Sequence, residues 1–111
     1  MEDKNSQLKT FKSLSEFYPF YLTQHQNSIN QKLHFMGTII GNLFFLKAIL
    51  TLNPFIFLGG LIIGYGLAWI GHFFFEANKP ATFQYPLYSF LCDYIMVYNL
   101  LLVYTGKKKK L

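Results

Sequence analysis

Hydrophobic positions along the chain fall into four blocks separated by short polar stretches. In the first block Phe11, Leu14, Phe17, Tyr18, Tyr21 and Leu22 recur at spacings of three and four, which predicts an amphipathic helix. Its aromatic content suits a membrane interface, and Pro19 inside it predicts a kink or two short pieces. The other blocks, residues 33–52, 54–75 and 87–104, are apolar on every side. Each is close to the ~20 residues that a helix needs to cross a hydrocarbon core of roughly 30 Å. Between the first two, Asn53-Pro54 leaves room only for a tight reversal, so they form an antiparallel hairpin. The expected fold is all-α: an integral membrane helical bundle with an amphipathic N-terminal helix and about three apolar helices. Residues 1–10 are expected to be a flexible polar N-terminus, 11–105 a single membrane domain and 106–111 a lysine-rich tail.

Charge sharpens this picture. Between residues 33 and 104 the only charged side chains are Lys47, Glu76, Lys79 and Asp93, too few to cover so much Phe, Leu and Ile in water. A lipid bilayer is therefore the expected partner. The net charge of +5 comes entirely from lysine, four of them in the run Lys107 to Lys110. Nucleic-acid binding would spread basic residues over a face and use arginine, so no nucleic-acid partner is expected. A lysine tail beside a span anchors to anionic headgroups, and its last four residues fit a dilysine retrieval signal. The expected location is integral to a membrane, the endoplasmic reticulum in a eukaryote or the inner membrane in a bacterium. No apolar stretch in the first 30 residues resembles a cleavable signal peptide, so the first internal span is expected to direct insertion. Three full spans would place the two lysine-rich ends on opposite sides, against a simple positive-inside reading. That tension leaves a re-entrant or split last segment as an alternative.

The hairpin brings the start of its first helix and the end of its second to one side of the membrane, so His34 and His72 meet at one level. Asp93, two turns into the third span, comes within reach. On a helical wheel Asn30, His34, Gly37 and Gly41 lie within about 60° of one another, so a glycine face and a histidine face coincide. Gly60, Gly64 and Ala68 supply the matching small-residue face of the second helix. His25 does not share a face with His34 on a continuous helix, because nine residues turn the chain through about 900°. Both can reach one ion only if the helix breaks between them, and Ser28-Ile29-Asn30-Gln31 reads as a capping box that would start a new helix there.

Three histidines converging with carboxylates inside a membrane point to a metal site, since ionisable groups at that depth are costly unless used. Imidazole with carboxylate suits iron or zinc. Glu76 is a candidate ligand, an acceptor that orients a histidine ring, or a partner for Lys79. Asn30 and Asp93 are expected in the surrounding shell, although Asp93 could instead pair with Lys79 or cap a helix. A hydrolase is poorly supported, because no nucleophile-elbow glycines flank Ser89. The histidine-rich di-iron site of membrane desaturases needs about eight histidines, and the chain has three. Cys92, the sole cysteine, excludes an internal disulfide and reads as a small apolar packing residue.

Three stretches carry a resemblance: Phe17-Tyr18-Pro19-Phe20-Tyr21-Leu22-Thr23-Gln24-His25, Asn30-Gln31-Lys32-Leu33-His34-Phe35-Met36-Gly37-Thr38, and Trp69-Ile70-Gly71-His72 running through Glu76, Asn78 and Pro80 to Ala81. Over roughly residues 11–105 the chain resembles the small membrane family, formerly a domain of unknown function, that includes the fungal 2-hydroxy fatty acid dioxygenase of phytosphingosine breakdown. The resemblance implies an Fe(II)-dependent α-oxidation in which dioxygen attacks a 2-hydroxy fatty acid and the chain loses one carbon. It also implies that His25, His34, His72 and Glu76 are the metal-binding and catalytic set, with Fe2+ as cofactor. The substrate's alkyl chain is expected between Phe-rich helices, with Phe73, Phe74, Phe75 and Tyr85 as candidate lining. Members of the family can be longer, which leaves open that a second subunit supplies a further span in a homo-oligomer. The competing reading is a non-catalytic membrane lipid-binding or assembly protein with a structural metal site. Such a site would be closed and would recruit cysteine, whereas Cys92 is remote in sequence from the histidines.

Overall fold

The computed structural model of the chain describes residues 10–111, so most of the expected polar N-terminus lies outside the described residues. Among the described residues four α-helices follow one another: α1 (Leu14–Thr23), α2 (Ser28–Thr51), α3 (Pro54–Ile70) and α4 (Pro86–Tyr104). Helix α1 is amphipathic and unbroken, with Pro19 inside it and the Ser13 hydroxyl accepting the Glu16 amide at 3.2 Å as its N-terminal cap. Helix α2 begins five residues before the apolar window did, because the polar turn from Ser28 is helical too. Its cap is Asn27, whose side-chain oxygen accepts the amides of Ile29 and Asn30 at 2.9 and 3.1 Å. The expected break between His25 and His34 is therefore present, but Ser28 stands in the first turn and is not the cap. Gln31, expected to close a capping box, instead donates from its side-chain nitrogen to the His25 carbonyl at 2.6 Å.

The hairpin turn uses Leu52 in the left-handed region (φ 52°), with the Leu52 and Asn53 amides returning to the carbonyls of Ile49 and Ala48. Asn53 then caps α3, its side chain accepting the Phe55 amide at 2.9 Å, and Pro54 takes the first helical position, where no amide is needed. Glycine holds the two helices close. A Cβ on Gly37 would come within 2.9 Å of the Gly64 carbonyl oxygen, so the backbones touch where a side chain would force them apart.

The last turns of the second span are not α-helical. Residues Gly71–Glu76 form a π-helical segment that ends at Ala77 in the left-handed region (φ 62°), and a 3-10 turn (Ala81–Phe83) leads to α4. Helix α4 is one continuous helix of 19 residues, neither split nor interrupted, and Pro86 opens it. Ser28–Thr51, Pro54–Glu76 and Pro86–Tyr104 are each long and apolar enough to cross a membrane. Their outer faces carry bare apolar groups, with Leu50 74 %, Phe55 80 % and Phe74 77 % exposed, as lipid-facing surfaces are.

Helix α2 is central, packing extensively against α3 and less against α4, through contacts such as Asn42–Tyr94 and Phe35–Tyr104, whereas α3 and α4 barely touch. A buried cluster of Phe11, Phe17, Tyr21, Cys92, Met96 and Leu100 fastens α1 to α4. Cys92 packs there as a small apolar residue, and rings such as Phe11 and Phe17, edge-on at 5.2 Å, fill the remaining space. At the C-terminal end Gly106 (φ 80°) reverses the chain, and Lys108 donates to the Asn99 side-chain oxygen at 3.0 Å.

Candidate metal centre

Each histidine reaches the site from a different element. His25 lies in the link between α1 and α2, His34 in the second turn of α2, and His72 in the π-helical segment. One ligand nitrogen from each of the three buried rings lies within 4.8 Å of the others. The rings meet edge to face, with centroids 4.5 to 4.8 Å apart.

Hydrogen bonds fix which nitrogen is free. His25 Nδ1 donates to the Tyr21 carbonyl at 2.7 Å, His34 Nδ1 to the Asn30 carbonyl at 2.9 Å, and His72 Nδ1 to the Asn78 side-chain oxygen at 2.6 Å. Asn78 can only accept there, because its amide nitrogen donates to the Gln24 carbonyl at 3.0 Å. All three Nδ1 atoms therefore carry the proton, and all three Nε2 atoms present lone pairs. His25 Nε2 and His34 Nε2 stand 3.2 Å apart, so two lone pairs face each other with no proton between them. A cation between them removes that repulsion. Bonds of about 2.1 Å to a shared ion at tetrahedral angles would set two ligand nitrogens roughly 3.4 Å apart. The donor set thus fits a metal ion: three neutral imidazoles, each held by an oxygen on its far side, as metal-binding histidines are. Burial, and then the neighbouring His34 and His72, hold His25 well below the usual histidine range, so its ring stays neutral.

The carboxylates do other work. Glu76 Oε1 accepts the Asn27 amide at 2.8 Å and the Asn30 side-chain amide at 3.1 Å, while Oε2 accepts the Gln26 amide at 3.0 Å. It is not in the three-histidine group; it clamps the link that carries His25 to the start of α2. Asn30 joins this clamp through its amide nitrogen, and its carbonyl holds His34. A Cβ on Gly71 would run into Asn30 Oδ1, so the glycine before His72 leaves the space that the clamp occupies. Asp93 accepts a short hydrogen bond from the Tyr21 hydroxyl. The Tyr21 ring stacks on His25 with centroids 3.9 Å apart, so the route from Asp93 to the metal-ligand candidates runs through one aromatic ring. Burial first, and then the Asp93 charge, raise the Tyr21 phenol well above the ordinary tyrosine range, which keeps it a donor.

A small cavity lies beside the three rings, bounded also by Tyr21, Tyr65, Ser89 and Asp93. It adjoins a longer groove that shares His34, Tyr65, Ala68 and Asp93 with it. Sequence reasoning brought the histidines to one level through the hairpin but missed Asn78 and Tyr21. Asn78 follows His72 by six residues, a distance no α-helical spacing rule connects; only the π-helical segment and the left-handed Ala77 turn it back. Phe73, Phe74 and Phe75 point largely outward, and Tyr85 packs in the aromatic cluster with Phe17 at 5.2 Å, so none of them forms the wall of the cavity.

Comparison with curated proteins and with solved structures gives no match. A family model, described as 2-hydroxy-palmitic acid dioxygenase Mpo1-like, matches residues 11–105 and takes in all three histidines and the residues that hold them. Nearly the whole chain is covered by that match, and the protein belongs to the Mpo1-like family.

Proposed function

We propose that the protein is a membrane-embedded, Fe(II)-dependent dioxygenase that shortens 2-hydroxy fatty acids by one carbon. The observation that carries this reading is the convergence of three neutral imidazoles whose Nδ1 protons are all committed elsewhere, beside an internal cavity. Three protein ligands leave coordination positions open, which is the arrangement of a catalytic site, whereas a structural site is closed by four. The family description supplies the substrate class, a 2-hydroxy acid with a long alkyl chain.

A ferrous ion held by His25, His34 and His72 would supply positions for the substrate's carboxylate and 2-hydroxyl and for dioxygen. The chain's own groups do the rest. Tyr21, Asn30 and Asn78 hold the rings in one tautomer, and the Glu76 clamp fixes the link on which His25 rides. The surrounding aromatic cluster keeps bulk water from the rings. Overall, one 2-hydroxy acid and one dioxygen give the acid one carbon shorter, carbon dioxide and water, so dioxygen is the only oxidant required.

The test is a product assay by mass spectrometry on ferrous-loaded protein in detergent, with 2-hydroxyhexadecanoic acid and air. The expected product has fifteen carbons, and its formation is expected to fall at least a hundredfold in a His72→Ala variant that keeps its helical circular dichroism. Folded wild-type protein that takes up ferrous ion and yields no shortened acid would remove the dioxygenase reading and leave a metal-holding membrane protein.

A further inference from the structure

Helices α3 and α4 pack on different flanks of α2 and leave a groove between them, open on its outer side. Its floor is the glycine face: Gly37 and Gly41 from α2, Gly60 and Gly64 from α3. Its walls include Leu61 and Tyr65 on one side and Phe90 and Tyr94 on the other. The inner end reaches His34 and Asp93, where the groove meets the cavity beside the three histidines. A second observation points to a ligand at that junction. Ser89, 2 % exposed, borders the cavity, and its hydroxyl has no hydrogen-bond partner. A buried hydroxyl left unpaired is costly, and a polar group placed in the cavity would pair with it.

On the reading above, that the substrate is a 2-hydroxy acid, we propose that this groove is its acyl-chain site. The chain enters sideways from the lipid between α3 and α4, lies over the glycine floor, and brings its carboxylate and hydroxyl to Ser89 and the three histidines. The shape fits one unbranched chain. From Ala68 to Leu61 the groove runs about 10 Å along α3, enough for roughly eight methylenes at about 1.3 Å each, and it continues past Leu61 to Gly60 and Phe45. Glycine lets α2 and α3 touch here, because a Cβ at Gly37, Gly41 or Gly60 would meet the facing helix. A second protein helix, about 10 Å across, is too wide for a groove built on backbone contact between its neighbours. A single alkyl chain is not.

The experiment is photocrosslinking in nanodiscs, under argon and with ferrous ion, using 2-hydroxyhexadecanoic acid with a diazirine at mid-chain. Peptide mapping is expected to place adducts around Leu61 and Tyr65 and around Phe90 and Tyr94, and unlabelled 2-hydroxyhexadecanoic acid is expected to compete them away. In a Leu61→Trp variant, competition by the sixteen-carbon acid should weaken at least tenfold while that of the ten-carbon acid stays within twofold. A Ser89→Ala variant should weaken competition by both acids at least fivefold. Adducts on the outward faces, such as Phe73 to Phe75, or adducts that unlabelled acid does not compete, would overturn the proposal. Labelling outside the groove together with product formation would leave the dioxygenase reading standing without this site. Competed labelling in the groove without product would make it a fatty-acid site in a protein that does not catalyse.

Discussion

At the scale of single residues, the site depends less on the three histidines than on what holds them. An imidazole can present either nitrogen, and here an oxygen acceptor chooses for each ring: two backbone carbonyls and the Asn78 side chain. A backbone acceptor cannot be mutated away, so Asn78 is the informative position. Asn78→Ala frees His72 to rotate and change tautomer, and metal affinity is expected to fall about 10–100-fold, read by competition with a chelator of known affinity. An unchanged affinity would mean that packing alone orients His72. The histidines themselves were legible in the sequence, because a two-residue link forces a hairpin and a hairpin puts His34 and His72 at one depth. Their holders were less so. Tyr21 supplies its carbonyl and its ring face to His25 and its hydroxyl to Asp93, and nothing in the hydrophobic pattern distinguishes that use from ordinary aromatic packing.

Among the elements, the π-helical segment Gly71–Glu76 does most to build the site. Widening the last turn of the span carries Glu76 to the amides of Gln26 and Asn27 and lets the chain turn back so that Asn78 meets His72. The periodicity of the sequence gives no sign of this, since one widened turn shifts the register by less than a residue and its driving contacts are all distant in sequence. Glu76 is expected from the sequence as a ligand, an orienting acceptor or a partner for Lys79, and its carboxylate accepts the amides of Gln26 and Asn27, joining the second span to the α1–α2 link. In a Glu76→Ala variant the amides of Gln26 and Asn27 lose their acceptors. Their hydrogen exchange is expected to accelerate at least tenfold, with exchange in the centres of α2 and α3 unchanged. Equal protection in the two proteins would show that the link holds itself. Helix starts were misjudged for a related reason. Apolar windows find where lipid begins, whereas Asn27 caps the helix a full turn earlier in polar sequence.

For the molecule as a whole, the helical membrane architecture follows from composition: four charges in the long apolar region leave lipid as the only solvent for three such helices. What composition could not give is how the helices arrange around α2. Close glycine contact on one flank and looser contact on the other leave the groove between α3 and α4. The three-histidine site ties this arrangement together, because its rings come from the α1–α2 link, α2 and the end of the second span. Ligand that binds only the folded state adds stability in proportion to its excess, about 2.7 kcal/mol at a hundredfold over its dissociation constant. Removing metal with a chelator is accordingly expected to lower the thermal midpoint in detergent by several degrees, and restoring ferrous ion to recover it; a midpoint indifferent to metal would mean that no ion bridges these elements. The most direct test of the central claim is an anaerobic titration of ferrous ion into metal-free protein, followed by single-turnover assay with 2-hydroxyhexadecanoic acid and dioxygen. Product should rise linearly and level off at one ion per chain, and the break should vanish when His25, His34 or His72 is replaced by alanine. A folded protein that shows no break at one equivalent, or the same product yield without any one of these histidines, would contradict a three-histidine iron centre.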